Sequence, residues 1–227
     1  MSFFRKVKTI LTPTEQSGEP RVHEDITITD RIAFGSASAQ HVAQGYLTGQ
    51  LLVATPVIDS GIFNRSVIYV FNHSAEGAMG LVINQPLELL NYSNILEGLN
   101  LPKPEEDREL PVFIGGPVER GRGFVLHTSD YVRDFTLAQH GELAVTASSA
   151  ILKDIVAGTG PRHAALIVGC AGWDAGQLEQ EIEQNAWIHV PATQELVFGT
   201  ENDLKWATAS KSLGIDMAFF STTVGHA

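Results

Sequence analysis

Short apolar runs, punctuated by Gly, Pro and Asn, begin at Tyr46 and set the texture of the chain. Leu51–Ala54, Val67–Phe71, Leu81–Ile83, Val112–Ile114, Phe124–Leu126, Ala164–Val168 and Leu196–Phe198 each read as a strand. Most are continuous rather than alternating, which predicts strands covered on both faces. Val67–Phe71 and Leu81–Ile83 are spaced to pair across Asn72–Gly80, and Val112–Ile114 and Phe124–Leu126 to pair across Gly115–Gly123. Helical patterns are fewer. Ser148 can cap Ser149–Ala157, with Gly158 as its stop. Asp174, with Gln177 three residues on, can cap a helix that places Leu178 and Ile182 on one face. Asp203 can cap Leu204–Leu213, closed by Gly214, and a weaker helix runs near Tyr92–Leu99. Strands outnumber helices and do not alternate with them regularly. The pattern predicts an α+β fold with a mixed, curved sheet and a few flanking helices.

Residues 1–45 differ. They are rich in Ser, Thr, Gln, Glu and His, lack a dense apolar segment, and are interrupted by Pro13, Gly18 and Pro20. They read as a partly disordered N-terminal extension with one short helix near Ser36–Gln44, ahead of a domain spanning 46–227. No repeat or low-complexity tract is visible.

Composition changes the picture mainly by exclusion. The 227 residues are 44% hydrophobic and 18% charged, an ordinary globular balance. The single cysteine, Cys170, can form neither an internal disulfide nor a zinc site by itself. No secretory leader and no run of about 18 apolar residues is read, so a cytoplasmic protein without a membrane segment is expected. The formal charge of -11 disfavours direct nucleic-acid binding, because phosphate contacts need a basic footprint. Arg5, Lys6 and Lys8 form the only tight basic run, most simply a solvated tail.

Candidate chemistry is sparse. Gly115-Gly116-Pro117-Val118-Glu119-Arg120-Gly121-Arg122-Gly123 could form an anion-binding nest with arginine donors, though it matches neither a Walker A loop nor a dinucleotide fingerprint. The simpler reading is a glycine-rich connection. Cys170 stands at a strand-to-helix junction, where a nucleophile would gain from a helix end, but buried packing is the commoner fate of a free cysteine. His73 and His127 end predicted strands; folding could join them as acid–base groups, or each could bond locally. Trp173, Trp187 and Trp206 read as packing residues, and the Glu179–Glu183 face as solvated. No metal-ligand spacing is present, and no cofactor is implied.

Several stretches, taken together, carry a resemblance. They are Gly49-Gln50-Leu51-Leu52-Val53-Ala54-Thr55-Pro56, Phe63-Asn64-Arg65-Ser66-Val67-Ile68-Tyr69, and His73-Ser74-Ala75-Glu76-Gly77-Ala78-Met79-Gly80 running on through Asn84-Gln85-Pro86. Gly115-Gly116-Pro117-Val118, Arg122-Gly123-Phe124-Val125-Leu126-His127, Ala171-Gly172-Trp173, Gly176-Gln177-Leu178-Glu179-Gln180-Glu181-Ile182 and the terminal Gly225-His226-Ala227 complete the set. From about Tyr46 onward the sequence resembles the AlgH/YqgE family of bacterial cytoplasmic proteins. The resemblance implies an α+β fold whose bifurcated sheet curls into a pseudo-barrel. It brings no catalytic residues. One branch of the family is named for a regulatory role in alginate production. Cys170 stands where the resemblance leads one to expect tyrosine, which weighs against thiol chemistry.

Two functional classes follow as expectations. The first is a non-enzymatic protein of regulatory or protein-interaction type, acting on transcription indirectly through an unidentified protein partner. The alternative is an enzyme or a binder of a small anionic ligand, with a site near the Gly115–Gly123 loop formed by Arg65, His73, Gly115, Gly116, Arg122 and His127.

Overall fold

The structure is a computed structural model that describes residues 46–104 and 109–214. The expected N-terminal extension and the terminal Gly225-His226-Ala227 lie outside the described residues. Among the described residues, nine strands form one sheet: β1 (Gln50–Ala54), β2 (Val67–Ser74), β3 (Gly77–Val82), β4 (Val112–Ile114), β5 (Val118–Thr128), β6 (Thr136–His140), β7 (Leu143–Thr146), β8 (Ala164–Asp174) and β9 (Trp187–Pro191). The helices are α1 (Tyr92–Gly98), α2 (Ala150–Val156), α3 (Gln177–Glu183) and α4 (Asn202–Lys211), with a π-helical turn at Glu195–Gly199. The spatial order is β6-β7-β5-β8-β3-β2-β1-β9, antiparallel except where β4 lies parallel to β8. The sheet curls into a half-barrel: Gly49, just before β1, lies against the His140 side chain at the end of the edge strand β6. The α+β class and the curled sheet are therefore as the sequence predicts.

The continuous apolar runs have the expected cause. Along β2, Val67, Tyr69 and Phe71 point into the curl, while Ile68 and Val70 pack on the outer face with Leu178 of α3. β8 is the spine of the sheet. Its first half pairs with β4 and β5, and its end pairs with β3. Ile167 and Cys170 both face the inner core although they are three positions apart, so the strand must slip by one residue between them. Gly169 makes that slip with a φ of +76, and the sheet bifurcates there.

Four readings need correction. Val112–Ile114 and Phe124–Leu126 do not form a hairpin: β4 pairs in parallel with β8, and Val118–Gly123 extends β5. Leu196–Phe198 is not a strand but part of the π-helical turn, whose buried Leu196 and Val197 lie on the core. Neither Asp174 nor Asp203 caps a helix. β8 runs on through Asp174, whose backbone N–H donates to Gln177 Oε1, and α3 starts from left-handed Gly176. Asp203 lies inside the first turn of α4. Polar residues such as Thr136, Gln139 and His189 break the apolar runs of β6 and β9 and hide them in the sequence, whereas β7 is a short apolar run, Leu143–Val145, that was not among the expected strands. The helix at Tyr92 is capped by a reciprocal Asn91–Asn94 pair.

The Glu-rich helix is not simply solvated either. Glu181 Oε2 accepts from the indole N–H of Trp173 at 2.9 Å and of Trp187 at 2.7 Å, and Gln177 Nε2 donates to its other oxygen. The two indoles meet edge to face, 6.1 Å between centroids. This carboxylate fastens α3 and β9 to the end of β8. Glu181→Gln keeps an acceptor but removes its charge, and hydrogen bonds to charged groups are worth about 1.5–3 kcal/mol against about 1 for neutral ones. The variant is expected to lose about 1–2 kcal/mol in urea unfolding; an unchanged midpoint would show that the clasp contributes nothing.

Candidate functional site

The six residues expected to form a site do not form one cleft. His73 pairs with Ala78, and Ala78 with Trp173 at the end of β8. His127 pairs with Ala164 at the start of β8. Nine residues of strand separate those positions, about 30 Å. Both imidazoles are also fully engaged. The backbone N–H of Leu47 donates to His73 Nδ1 at 3.0 Å, which leaves Nε2 to donate to Glu179 at 2.9 Å. His127 Nδ1 donates to the Thr128 carbonyl, so Nε2 accepts from the Thr146 hydroxyl. Burial holds His127 below the ordinary histidine value, against the opposing pull of the Thr128 carbonyl and Asp130. Neither ring has a nitrogen left over for proton transfer.

The glycine loop is similarly occupied. A Cβ on Gly115 would lie 2.2 Å from the Gly169 carbonyl oxygen, and one on Gly116 2.3 Å from the Cys170 backbone. These glycines let two backbones touch. Arg122 donates to both oxygens of Glu119 and lies 5.1 Å from the Phe124 ring. Arg120 Nε donates to the Pro117 carbonyl. Arg65 is exposed and stacks on Trp206 at 5.4 Å.

Cys170 is buried, and burial together with Glu119 pushes its thiol up to about 12. A thiol so placed holds little thiolate at neutral pH. Iodoacetamide is expected to label the native protein at pH 7.5 far more slowly than the urea-unfolded chain. Comparable rates in the two states would contradict the packing role.

A different region has the character of a site. At the end of the sheet where β8 begins, a cleft of about 340 Å³ lies between the β4 and β8 strands and the π-helical turn with α4. Lys205 forms its inner wall. The residue is 3% exposed, and its Nζ donates to the Ile83 carbonyl at 3.0 Å and to Asn202 Oδ1 at 2.8 Å. The Phe113 ring lies 5.0 Å away. Among the described residues, no carboxylate lies within ion-pair distance of it. A lysine is almost never fully buried unless paired. Burial lowers its ammonium to about 8, and the more distant Glu201 offsets this only in part. Arg162 and His163 line the cleft beside it, and the His163 ring stacks on Phe198 of the π-helical turn.

Sequence reading missed this cleft for a definable reason. In α4 the apolar Leu204 is 53% exposed while Lys205 is buried, the reverse of what residue type suggests. The available signal was that Lys205 lies one helical turn before the buried Ala209. Arg65 and His127 stand near this end of the sheet, Arg65 through Trp206, the neighbour of Lys205, and His127 through Ala164 of the lining. Among the described residues, no three His, Cys, Asp or Glu side chains gather to hold a metal ion. No helix among them is long and apolar enough to cross a membrane.

Comparison with known proteins agrees with the fold. The sequence profile described as AlgH-like (DUF179) matches residues 51–218. A UPF0301 protein of Afipia carboxidovorans is 45% identical over 190 residues, covering 80% of this chain and 90% of its own. One from Methylobacterium nodulans is 47% identical over 193 residues, covering 82% and 92%. The solution structure of AlgH from Pseudomonas aeruginosa superposes with a TM-score of 0.65 at 39% identity, covering 81% of this chain and 97% of that one. A Corynebacterium diphtheriae protein shares the fold at 23% identity and a TM-score of 0.59, over 78% of this chain and 92% of its own. The described curl, the matched segment and these relatives agree: the chain belongs to the AlgH-like family.

Proposed function

We propose that this is a cytoplasmic, non-enzymatic regulatory protein that responds to a small anionic ligand, bound in the cleft walled by Lys205. The supporting observation is the buried ammonium with only neutral oxygen acceptors. A cation held away from water costs free energy when its direct acceptors are neutral and its nearest carboxylate, Glu201, offsets the burial only in part, and an incoming anion adds to that counter-charge. Arg162 and His163 at the same cleft add donors suited to a phosphate or carboxylate. This keeps the anionic ligand expected from the sequence but moves it from the Gly115–Gly123 loop, where the arginines are occupied by Glu119 and a backbone carbonyl.

Thermal unfolding with increasing inorganic phosphate, and separately with small mono- and dicarboxylates, tests this. A ligand at 100 times its dissociation constant adds about 2.7 kcal/mol, so the melting temperature should climb with concentration. Arg162→Ala should weaken the response about tenfold, the value of one charge-assisted hydrogen bond. A melting temperature indifferent to every anion at constant ionic strength would overturn the proposal.

A further inference from the structure

We propose that the ligand of this cleft is a mononucleotide, an inference that rests on the anion-binding reading above and specifies its chemistry. The lining holds two cations, the buried Lys205 and the exposed Arg162. It also holds an aromatic pair: the exposed His163 ring lies over Phe198 with centroids 5.7 Å apart and planes 21° from parallel. A flat ring seated on that pair continues an existing stack, and stacking on aromatic side chains is the usual way proteins hold a nucleobase. The cleft also carries two carboxylates, Glu109 and Glu201, and the amide of Asn202. Those carboxylates repel a bare anion. They accept hydrogen bonds from hydroxyl groups, as an acidic residue does from a ribose in dinucleotide sites. A ligand with a planar base, a hydroxylated sugar and a phosphate answers all three features, with the phosphate toward Lys205. The volume, about 340 Å³, is at the small end of ligand sites and suits one nucleotide, not two.

Isothermal titration of the full chain with AMP, ribose 5-phosphate and inorganic phosphate tests the inference. AMP is expected to bind at least tenfold more tightly than either of the others, the gain that base stacking provides. In His163→Ala, an exposed position whose replacement should leave the fold intact, that ratio should fall toward one. In the wild-type protein, the His163 ring protons should shift upfield with AMP and stay in place with ribose 5-phosphate. Equal affinities for AMP and ribose 5-phosphate, or an undiminished ratio in His163→Ala, would overturn the nucleotide assignment while leaving anion binding intact. Failure of all three ligands to bind would overturn both.

Discussion

Lys205→Met is expected to abolish the response to anions and, in the same protein, to flatten the alkaline pH dependence of stability. In the native state the ammonium titrates near 8 because of burial, against 10.5 for an ordinary lysine. The folded pKa lies below the unfolded one, so between these values the unfolded chain binds the proton more readily. Stability present above pH 10.5 is therefore lost as pH falls toward 8, and is constant below that. At about 1.36 kcal/mol for each pH step, the loss is about 3 kcal/mol. Methionine carries no such charge. Its unbranched apolar chain, one heavy atom shorter, fills most of the lysine volume, though it leaves the Ile83 carbonyl without its donor, at a cost of about 1–3 kcal/mol. Urea unfolding of both proteins between pH 6 and 10.5 gives the difference directly. It should shift in the variant's favour by about 3 kcal/mol between pH 10.5 and 8, then stay level. A difference independent of pH would mean that Lys205 is effectively solvated.

Gly115→Ala is expected to cost about 3 kcal/mol or more, or to prevent folding. Gly115 joins two strands: its N–H donates to the Val168 carbonyl of β8, and its carbonyl accepts from Val82 of β3. A methyl group there would meet the Gly169 oxygen at 2.2 Å and Ile167 Cγ2 at 2.5 Å. The first obstacle is backbone and cannot rotate away. Overpacking of a closed interior costs 1–3 kcal/mol even where side chains can adjust. With total stabilities of about 5–15 kcal/mol, such a loss is easily measured. An anion-binding nest would behave oppositely, losing ligand response at little cost in stability. A Gly115→Ala protein as stable as wild type would refute the close strand contact.

How much of this was legible in the sequence depends on range. The Val67–Phe71 and Leu81–Ile83 runs located a hairpin because both their chemistry and their pairing are local. The fold class followed from such runs and from the family resemblance. Pairings that depend on distant segments were hidden. β4 looked like a partner for β5, yet it joins β8 in parallel, some fifty residues onward. Leu196–Phe198 has the apolar content of a strand but is wound into a π-helical turn by what it packs on. The expected site failed for the same reason. Histidines at strand ends and glycines in a loop are ambiguous in sequence, and their bonds to Leu47, Thr146 and the Val168 carbonyl come from distant segments. Lys205 was hidden because a charged residue in a predicted helix is ordinarily solvated. Only the tertiary position of α4 against Ile83 and Phe113 buries it.

The most direct measurement of the central claim is the titration of Lys205 itself, followed through its Cε carbon by NMR in protein labelled at lysine. In the free protein the resonance should titrate near 8. With saturating phosphate, a negative charge beside the ammonium favours its protonated form, and the midpoint should rise toward 10.5. A midpoint that begins at the ordinary lysine value, or that phosphate leaves unmoved, would contradict the assignment of this cleft as an anion site.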